Sequence, residues 1–349
     1  MKILGIETSC DETGAAIVEK KGQSVFLRSN ILASSLSLHA KTGGIIPEIA
    51  AREQIHFILP VIKEAMEQAQ CSEKTIDAIA ITYGPGLIGS LLVGVETAKT
   101  LSYVWNKPII PVNHLLGHTY ANFISTINNE PITINFPAIA LIVSGGHTDL
   151  LLIRDHNKYE LLGGTRDDAA GEAFDKIGRL LGMPYPAGAT IEQAAKNGNP
   201  KRFILPRPLI HSDDFNFSFS GLKTAALRTV EKSNSLDQQT IADISFAVQQ
   251  AVVDVLVTKT IKAAKHCKVK SILLGGGVAA NQKLRDELKL NATLRPRSGR
   301  GRYTLDAKIF VPSKSLCTDN AAMIATAAAY IATPLPWQAV TANPELYFS

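Results

Sequence analysis

Two histidines stand four residues apart in the stretch NHLLGH, where His114 and His118 could bind a metal ion together. On a helix, residues i and i+4 share one face with Cβ atoms about 5–6 Å apart, and neutral imidazole nitrogens can then bind one metal at about 2.0–2.1 Å. Asp319, in the later stretch CTDN, would add a carboxylate. Two histidines and one carboxylate leave coordination positions open, as a catalytic or substrate-binding metal requires.

The same residues have a simpler explanation. His114 could cap its helix while His118 faces a polar neighbour, and Thr318 or Asp319 could cap the alanine-rich helix that follows. A zinc protease of the HExxH type is disfavoured, because Leu115 stands where that motif places its general-base glutamate.

Three glycine-rich turns follow predicted strands, namely YGPGLIGS, VSGGHTDL and LLGGGVAAN. The backbone N–H groups of such turns can hold a phosphate, and a turn that opens a helix is a ready anion site. Each turn taken singly is explained as a tight connection, and neither the GxGxxG nor the GxxxxGK[ST] pattern is present. Three turns at equivalent strand ends nevertheless favour a nucleotide.

Carboxylates occur at two further places that could do chemistry. Asp11 and Glu12 fall in the turn ETSCDETG, where they suit metal, water or general-base work and where turn composition explains them equally well. In the stretch RDDAAGEAFDK, Asp175 is predicted on an amphipathic helix, from which it could hydrogen-bond a ribose or a hydroxylated substrate. Asp167 and Asp168 suit the first turn of the same helix through its dipole.

Two stretches suit nucleic acid. FNFSFSGLKTA alternates Phe and Ser as a strand does, and its aromatic rings beside Lys223 could stack on a base, although a half-buried strand explains the pattern as well. LRPRSGRGRYTLDAK carries arginines between glycines and a proline, which suit a phosphate backbone as much as a solvated loop. These arginines are Arg295, Arg297, Arg300 and Arg302.

An internal duplication predicts how these residues are positioned. Each half follows the order β-β-β-α-β-α-β-α, which predicts two α/β lobes, 1–130 and 131–349, around a cleft, with the segment from about 319 to 349 able to pack back on the first lobe. Ligands in open α/β sheets bind at the carboxyl ends of strands, where the glycine turns lie. NHLLGH and CTDN hold equivalent places in the two halves, so His114, His118 and Asp319 are predicted to meet across the cleft. An insertion from about 163 to 237 is predicted beside it.

Composition places few further limits. The chain has 349 residues, 46% hydrophobic content and a net charge of +5, which permits an anionic partner without requiring one. Its four scattered cysteines indicate neither a disulfide framework nor a zinc ribbon, and Cys317 is either a fourth metal ligand or a small buried residue. A strand begins at the N-terminus, and we expect a cytoplasmic protein without a membrane span.

Nine motifs together give the chain a strong resemblance to the bacterial tRNA N6-adenosine threonylcarbamoyltransferases, a universal family long called O-sialoglycoprotein endopeptidases. The resemblance covers essentially the whole chain and lies in GIETSCDETGAAIV, GGIIPEIAAREQI, GPGLIGSLLVG, NHLLGH, VSGGHT, DDAAGEAFDK, FSFSGLKTA, GGGVAAN and CTDNAAMIA. The chain departs from the family pattern at YPAGAT, where Ala187 and Ala189 replace residues of the common YPGGP.

The resemblance implies a duplicated actin-like, sugar-kinase-like ATPase fold and a transfer reaction. A threonylcarbamoyl group would pass from threonylcarbamoyl-AMP to N6 of adenosine 37 in tRNAs that read codons beginning with A. The resemblance makes Asp11 and Glu12 an acidic pair needed for activity, and His114, His118 and Asp319 the ligands of one Fe²⁺ or Zn²⁺. It assigns contacts with the adenylate, or with ATP, ADP or AMP in the same site, to Ile142, Val143, Ser144, Gly145, Gly146, Asp175, Gly188 and Asn281.

The implied partners are tRNA, an inactive paralogue of the same fold, a small P-loop ATPase and the synthase that supplies threonylcarbamoyl-AMP. Two other functions remain as alternatives. A metallopeptidase would use the same metal ligands but lacks the adjacent glutamate. An ATP-hydrolysing partner module would use only the nucleotide turns.

Overall fold

A computed structural model describes residues 1–125, 132–233, 235–293, 307–331 and 333–348. The chain divides into two compact units, the first formed by Met1–Ile134 with Ser315–Ser349 and the second by Asn135–Lys314.

The first part of the chain builds a six-stranded sheet with helices. Its elements are β1 (Lys2–Glu7), β2 (Glu12–Lys21), β3 (Ser24–Ser34), α1 (Leu36–Thr42), α2 (Pro47–Gln68), β4 (Ala78–Gly84), α3 (Ile88–Trp105), β5 (Ile109–Asn113), α4 (His114–Tyr120) and β6 (Ile124–Ser125). The strand order is β5-β4-β1-β2-β3-β6, with β1, β2 and β3 antiparallel and β4 and β5 parallel to β1.

The second unit repeats this arrangement with five strands. Its elements are β7 (Ala138–Val143), β8 (Thr148–Asp155), β9 (Lys158–Gly164), α5 (Ala170–Leu180), α6 (Gly188–Ala195), α7 (Ser220–Lys232), α8 (Gln238–His266), β10 (Ser271–Gly275), α9 (Gln282–Thr293) and β11 (Lys308–Phe310). The order β11-β10-β7-β8-β9 and its parallel and antiparallel pairs match those of β5-β4-β1-β2-β3. The predicted duplication of an α/β fold is therefore confirmed.

The last helix, α10 (Ala321–Ile331), belongs to the first unit, where it packs on β1 and β2. Small residues allow this close approach: a Cβ added to Gly5 would lie 2.4 Å from the carbonyl oxygen of Ala321. Residues from Ala321 to Ala329 are all buried in this helix. Asp319 therefore lies in the unit that contains the two histidines, as the predicted packing of the segment from about 319 on the first lobe allowed, and the prediction that these residues meet across a cleft is wrong.

The region before α7 differs from the predicted strand. Phe217 makes a single bridge with Thr165, and the helix begins at Ser220. Phe217 and Phe219 are completely buried, so their rings are not available for stacking on a base. The alternation of Phe and Ser therefore reflects two anchors in the core ahead of a helix.

The acidic residues before α5 also have another role than predicted. The helix begins at Ala170, after Asp167 and Asp168, and Asp167 instead accepts hydrogen bonds from the backbone N–H groups of Phe219 and Ser220 at the start of α7. Burial raises the pKa of Asp167, but the hydrogen bond from the Ser218 hydroxyl and those from the two N–H groups lower it overall. Asp167 thus joins two helices of the second unit.

Within the described residues, α8 is the helix whose length and composition would allow it to cross a membrane. In its most apolar stretch, 78% of the residues are buried inside the protein, as in the core helix of a globular unit.

Candidate metal and nucleotide sites

Helix α4 positions both histidines because Asn113 starts it. The side-chain oxygen of Asn113 accepts hydrogen bonds from the backbone N–H groups of Leu115 and Leu116, at 2.8 and 3.3 Å. His114 and His118 are thereby one turn apart on one face, with ring centroids separated by 4.7 Å. The cap is Asn113, so the alternative in which His114 caps the helix is wrong.

Asp319 joins these histidines from the segment that precedes α10. Its Oδ1 lies 3.6 Å from Nε2 of His114 and 3.2 Å from Nε2 of His118. One ligand atom from each of the three residues lies within 4.8 Å of the others. Asn320 is the residue directly before α10, and its Oδ1 accepts a hydrogen bond from Met323 N.

The arrangement fits a divalent metal. His118 is completely buried, and within the described residues neither of its ring nitrogens has a hydrogen-bond partner of normal geometry. A buried polar atom of this kind is costly unless a ligand satisfies it. Two imidazoles and a carboxylate suit zinc or iron. Cys317 is completely buried and does not belong to the group found in the described part of the chain.

Glu7 supports His114 and was missed by the sequence analysis. Its Oε2 lies 3.2 Å from Nδ1 of His114 and accepts a hydrogen bond from Thr82, while its Oε1 accepts one from the N–H of Ser9. A carboxylate can only accept, so Nδ1 carries the proton and Nε2 is left for a metal. Burial alone would lower the pKa of His114, but the charges of Glu7 and Asp319 and this hydrogen bond raise it to about 9, so a metal that binds at neutral pH would displace a proton from Nε2.

We expect Glu7→Gln to weaken metal binding by about 10- to 100-fold, because an amide orients the imidazole less strongly and makes it a poorer donor. Titration with Zn²⁺ monitored by calorimetry measures the loss. Glu48→Gln, on the exposed start of α2, is the matched control. Equal zinc affinity in Glu7→Gln and wild type would contradict the role given to Glu7.

Asp11 and Glu12 lie near this metal group. Burial, and then the charge of Asp319, raises the pKa of Asp11. Burial, followed by the charge of Asp11, raises the pKa of Glu12 to about 7, although a hydrogen bond from Ser34 opposes the shift. The Gln54 side chain donates to the backbone oxygens of Cys10 and Glu12, which holds the turn on α2. Glu12 therefore has the properties of a general base at neutral pH.

Of the three glycine turns, the one in the first unit already has protein partners. The N–H of Gly86 donates to the carbonyl of Pro344, and that of Leu87 donates to the carbonyl of Ser9. The C-terminal segment thus lies against this turn, and the turn is not an open phosphate cradle. The expectation of three equivalent nucleotide-binding turns is wrong for this one.

The turn after β7 is open. Gly145 and Gly146 are exposed, and a Cβ added to either would meet no atom within 4 Å. The N–H of Ser144 donates to the carbonyl of His147, and the N–H of Gly171 donates to the carbonyl of Ser144, which places the start of α5 directly behind the turn. Such a turn can accept a phosphate or ribose.

The turn after β10 lies beside it. Gly276 has a φ of +91°, and a Cβ there would lie 2.3 Å from the carbonyl oxygen of Val143, so only glycine fits. Asn281 caps α9 through a hydrogen bond from the N–H of Leu284 and donates to the side chain of Gln249. Asn281 is thus held in place from both sides, and Gln249, like Glu7, has a role that no sequence motif predicted.

Asp175 and Gly188 meet at the contact of α5 and α6. Oδ1 of Asp175 accepts a hydrogen bond from the N–H of Ala187 at 2.7 Å, and burial raises the pKa of this carboxyl. Ala187 packs against Gly178 and is almost completely buried. Its methyl group therefore faces α5. Gly188 is the first residue of α6, and a Cβ added there would meet no atom within 4 Å.

The candidate tRNA contacts are only partly described. Lys223 lies in the first turn of α7 and is half-buried. Arg295, Arg297, Arg300 and Arg302 lie outside the described residues.

Comparison with known proteins gives one family. Residues 26–326 match the model of the family described as TsaD, tRNA N6-adenosine threonylcarbamoyltransferase. A relative with this name from Syntrophomonas wolfei is 50% identical over 94% of this chain and 91% of its own length. One from Bacillus subtilis is 46% identical over 94% and 89%.

Solved structures support the fold alone. Component A of (R)-2-hydroxyglutaryl-CoA dehydratase from Acidaminococcus fermentans has a TM-score of 0.51 and 16% identity, and covers 93% of this chain and 96% of its own. Full-length HypF has a TM-score of 0.60 and 14% identity, and covers 95% of this chain and 55% of its own. The predicted actin-like ATPase fold is confirmed.

Proposed function

The chain belongs to the tRNA N6-adenosine threonylcarbamoyltransferase family, and from this premise we propose that it transfers a threonylcarbamoyl group from threonylcarbamoyl-AMP to N6 of adenosine 37 in tRNAs that read codons beginning with A. The observation that carries the proposal is the identity with named transferases along almost the whole chain. A metallopeptidase is disfavoured, because the completely buried Leu115 occupies the place of the missing glutamate.

His114, His118 and Asp319 would hold one Fe²⁺ or Zn²⁺, with Glu7 fixing the ring of His114. The mutual distances and the buried nitrogens of His118 support this assignment. Such a metal supplies Lewis-acid polarisation and a template for the threonylcarbamoyl end of the substrate.

The second unit would bind the adenylate. Its candidate contacts are Ile142, Val143, Ser144, Gly145, Gly146, Asp175, Gly188 and Asn281. The open turn from Ser144 to Gly146 and the adjoining Gly276 support a phosphate or ribose at this place. Asp175 and Asn281 would act mainly by holding the surrounding backbone, since both side chains bond to protein groups. ATP, ADP or AMP would compete for the same contacts.

In the reaction, N6 of adenosine forms a bond to the carbamoyl carbon, the bond from this carbon to the AMP phosphate oxygen breaks, and N6 loses one proton. Asp11 or Glu12 would accept that proton, and Glu12 is the better candidate because Ser34 orients it and its pKa lies near neutrality. Positioning of the two substrates would supply most of the remaining acceleration.

Asp175→Ala and Asn281→Ala should each weaken AMP binding by about tenfold and leave metal content unchanged. The reason is that each loses a hydrogen bond to the backbone at the start of a helix, α6 for Asp175 and α9 for Asn281. Calorimetry with AMP measures the loss, and elemental analysis measures the metal. Asp286→Ala, on the exposed face of α9, is the control. Unaltered AMP affinity in both site variants would show that the nucleotide does not bind at these residues.

Further proposals concern partners. Lys223 and the four arginines between 295 and 302 would contact tRNA phosphates. The protein would act in the cytoplasm with an inactive paralogue of its fold, a small P-loop ATPase and a threonylcarbamoyl-AMP synthase.

One experiment tests the function directly. The protein and these bacterial partners are incubated with threonine, bicarbonate, ATP and tRNA, and the nucleosides are analysed by mass spectrometry. Threonylcarbamoyl-adenosine that depends on this chain is the expected product. Its absence from a mixture that accumulates threonylcarbamoyl-AMP would overturn the proposal.

A further inference from the structure

Lysines occupy the edge of the second sheet where its parallel strands begin. Lys308 is the first residue of β11, Lys270 directly precedes β10, and Lys158 is the first residue of β9. The N–H of Lys308 donates to the carbonyl of Lys270, and the N–H of Lys270 donates to the carbonyl of Pro137, just before β7. Because β11, β10, β7 and β9 run in the same direction, these residues lie along one edge.

The end of α8 adds two more lysines to this edge. Lys265 lies in its last turn, and the chain turns sharply at Lys268, which has a φ of +51° and donates its N–H to the carbonyl of Lys265. Two residues later the chain reaches Lys270. We name this set the lysine edge, which consists of Lys158, Lys265, Lys268, Lys270 and Lys308.

The charge of the lysine edge is not neutralised by the described part of the protein. All five lysines are exposed, and none has a described carboxylate within 4.0 Å of its ammonium nitrogen. Of the nearby acidic residues, Glu160 pairs with Arg154 at 3.3 Å, and Asp155 accepts a hydrogen bond from the N–H of His156. The charges of Arg154 and Glu160 cancel each other, so the lysine edge keeps a net positive charge.

Ordinary structural reasons explain only some of these residues. A cation near a helix C-terminus, such as Lys265, is favoured by the helix dipole, and an edge strand such as β11 often carries a lysine against aggregation. Neither reason requires cations at the start of three strands of one sheet. Five strands spaced at about 4.8 Å span roughly 19 Å, so the lysines form a row and not a point.

We propose that the lysine edge binds phosphates of the tRNA substrate outside its anticodon loop, which rests on the function proposed above. Strand β7 has six residues and at about 3.3 Å per residue separates this edge from the Ser144–Gly146 turn by roughly 20 Å. With about one charge per 1.7 Å of duplex axis, a nucleic acid stem presents on the order of ten phosphates over such a length. Lysine ammonium groups act as point charges, so this contact positions the tRNA without reading its bases.

The test compares two variants of the full-length protein that lose the same charge. In the first, all five residues of the lysine edge are replaced by serine. The matched control replaces five other exposed lysines by serine, namely Lys63, Lys74, Lys196, Lys201 and Lys232. The arginines between 295 and 302 stay unchanged in both. The dissociation constant for tRNA is measured between 50 and 300 mM NaCl, and thermal unfolding verifies that both variants fold.

We expect the edge variant to bind tRNA at least about tenfold more weakly at low salt, and the slope of log affinity against log salt to be smaller by about 4. In the modification assay its KM for tRNA should rise while kcat at saturating tRNA stays the same. Equal tRNA affinity and salt slope in the edge variant and the control would overturn the proposal. It would also be overturned if the edge variant lost binding only to anionic lipid vesicles or only to a protein partner. A failure of the proposed transfer function would be distinguishable from a failure of the lysine-edge proposal, because the wild type would then bind tRNA without forming the modified nucleoside.

Discussion

His118→Ala should produce a folded protein that no longer retains a stoichiometric metal ion and whose transfer activity has fallen by at least about 100-fold. His118 contributes a buried imidazole whose nitrogens have no described hydrogen-bond partner of normal geometry, and its Nε2 lies 3.2 Å from Oδ1 of Asp319. Removing a metal ligand has a larger effect than the 10- to 100-fold change typical of a residue that only orients one. Elemental analysis of the purified protein measures the metal, and mass spectrometry of the tRNA nucleosides measures activity.

The matched control is His56→Ala, because His56 is an exposed histidine of α2. The buried site of His118 could lose stability through a cavity, so His118→Asn is measured beside it, together with thermal unfolding of all variants. His114→Ala and Asp319→Ala should behave alike. A folded His118 variant with full metal content would exclude His118 from the metal group.

Glu12→Gln should lower kcat for tRNA modification by about 10²- to 10⁴-fold, the usual contribution of a general base, and leave metal content and AMP affinity unchanged. The amide keeps the shape of the side chain and its hydrogen bond from Ser34 but cannot accept the proton from N6. Single-turnover modification with preformed threonylcarbamoyl-AMP measures this step directly.

Asp11→Asn, measured in parallel, distinguishes the two members of the acidic pair, and Glu48→Gln serves as the exposed control. If Glu12→Gln retained full single-turnover activity and Asp11→Asn did not, the proton acceptor would be Asp11. Full activity in both variants would remove the pair from the chemistry.

Local features of the site were predictable because they depend on neighbours in the chain. The spacing of His114 and His118, behind the cap Asn113, is sufficient for both rings to share one face of a short helix. Strands alternate with helices twice in the same order, which predicted the duplicated sheet topology. The glycines after β7 and β10 marked two turns of different kinds: only glycine fits at Gly276, whereas Gly145 and Gly146 leave the turn after β7 open.

Features that depend on distant carbonyls and carboxylates were not predictable in this way. Glu7 is the last residue of an apolar strand, and only the packing of β1 beside β4 and α4 shows that it bonds to Thr82 and His114. The glycine turn after β4 resembles the other two in sequence, but the carbonyls of Pro344 and Ser9 accept the N–H groups of Gly86 and Leu87. The period of two in FNFSFS arises from buried Phe217 and Phe219 and not from a strand.

By itself, therefore, the sequence determined the family, the two α/β repeats and the type of each ligand, because composition, spacing and turn chemistry act over a few residues. The sequence allowed the segment from about 319 to pack on the first lobe, but only the tertiary structure shows that this packing brings Asp319 to His114 and His118 within one unit. That contact requires α10 to approach β1 and β2 at the distance that Gly5 and Gly14 permit. Such an approach is a property of packed surfaces far apart in the chain, and no local pattern of residues specifies which surfaces will meet.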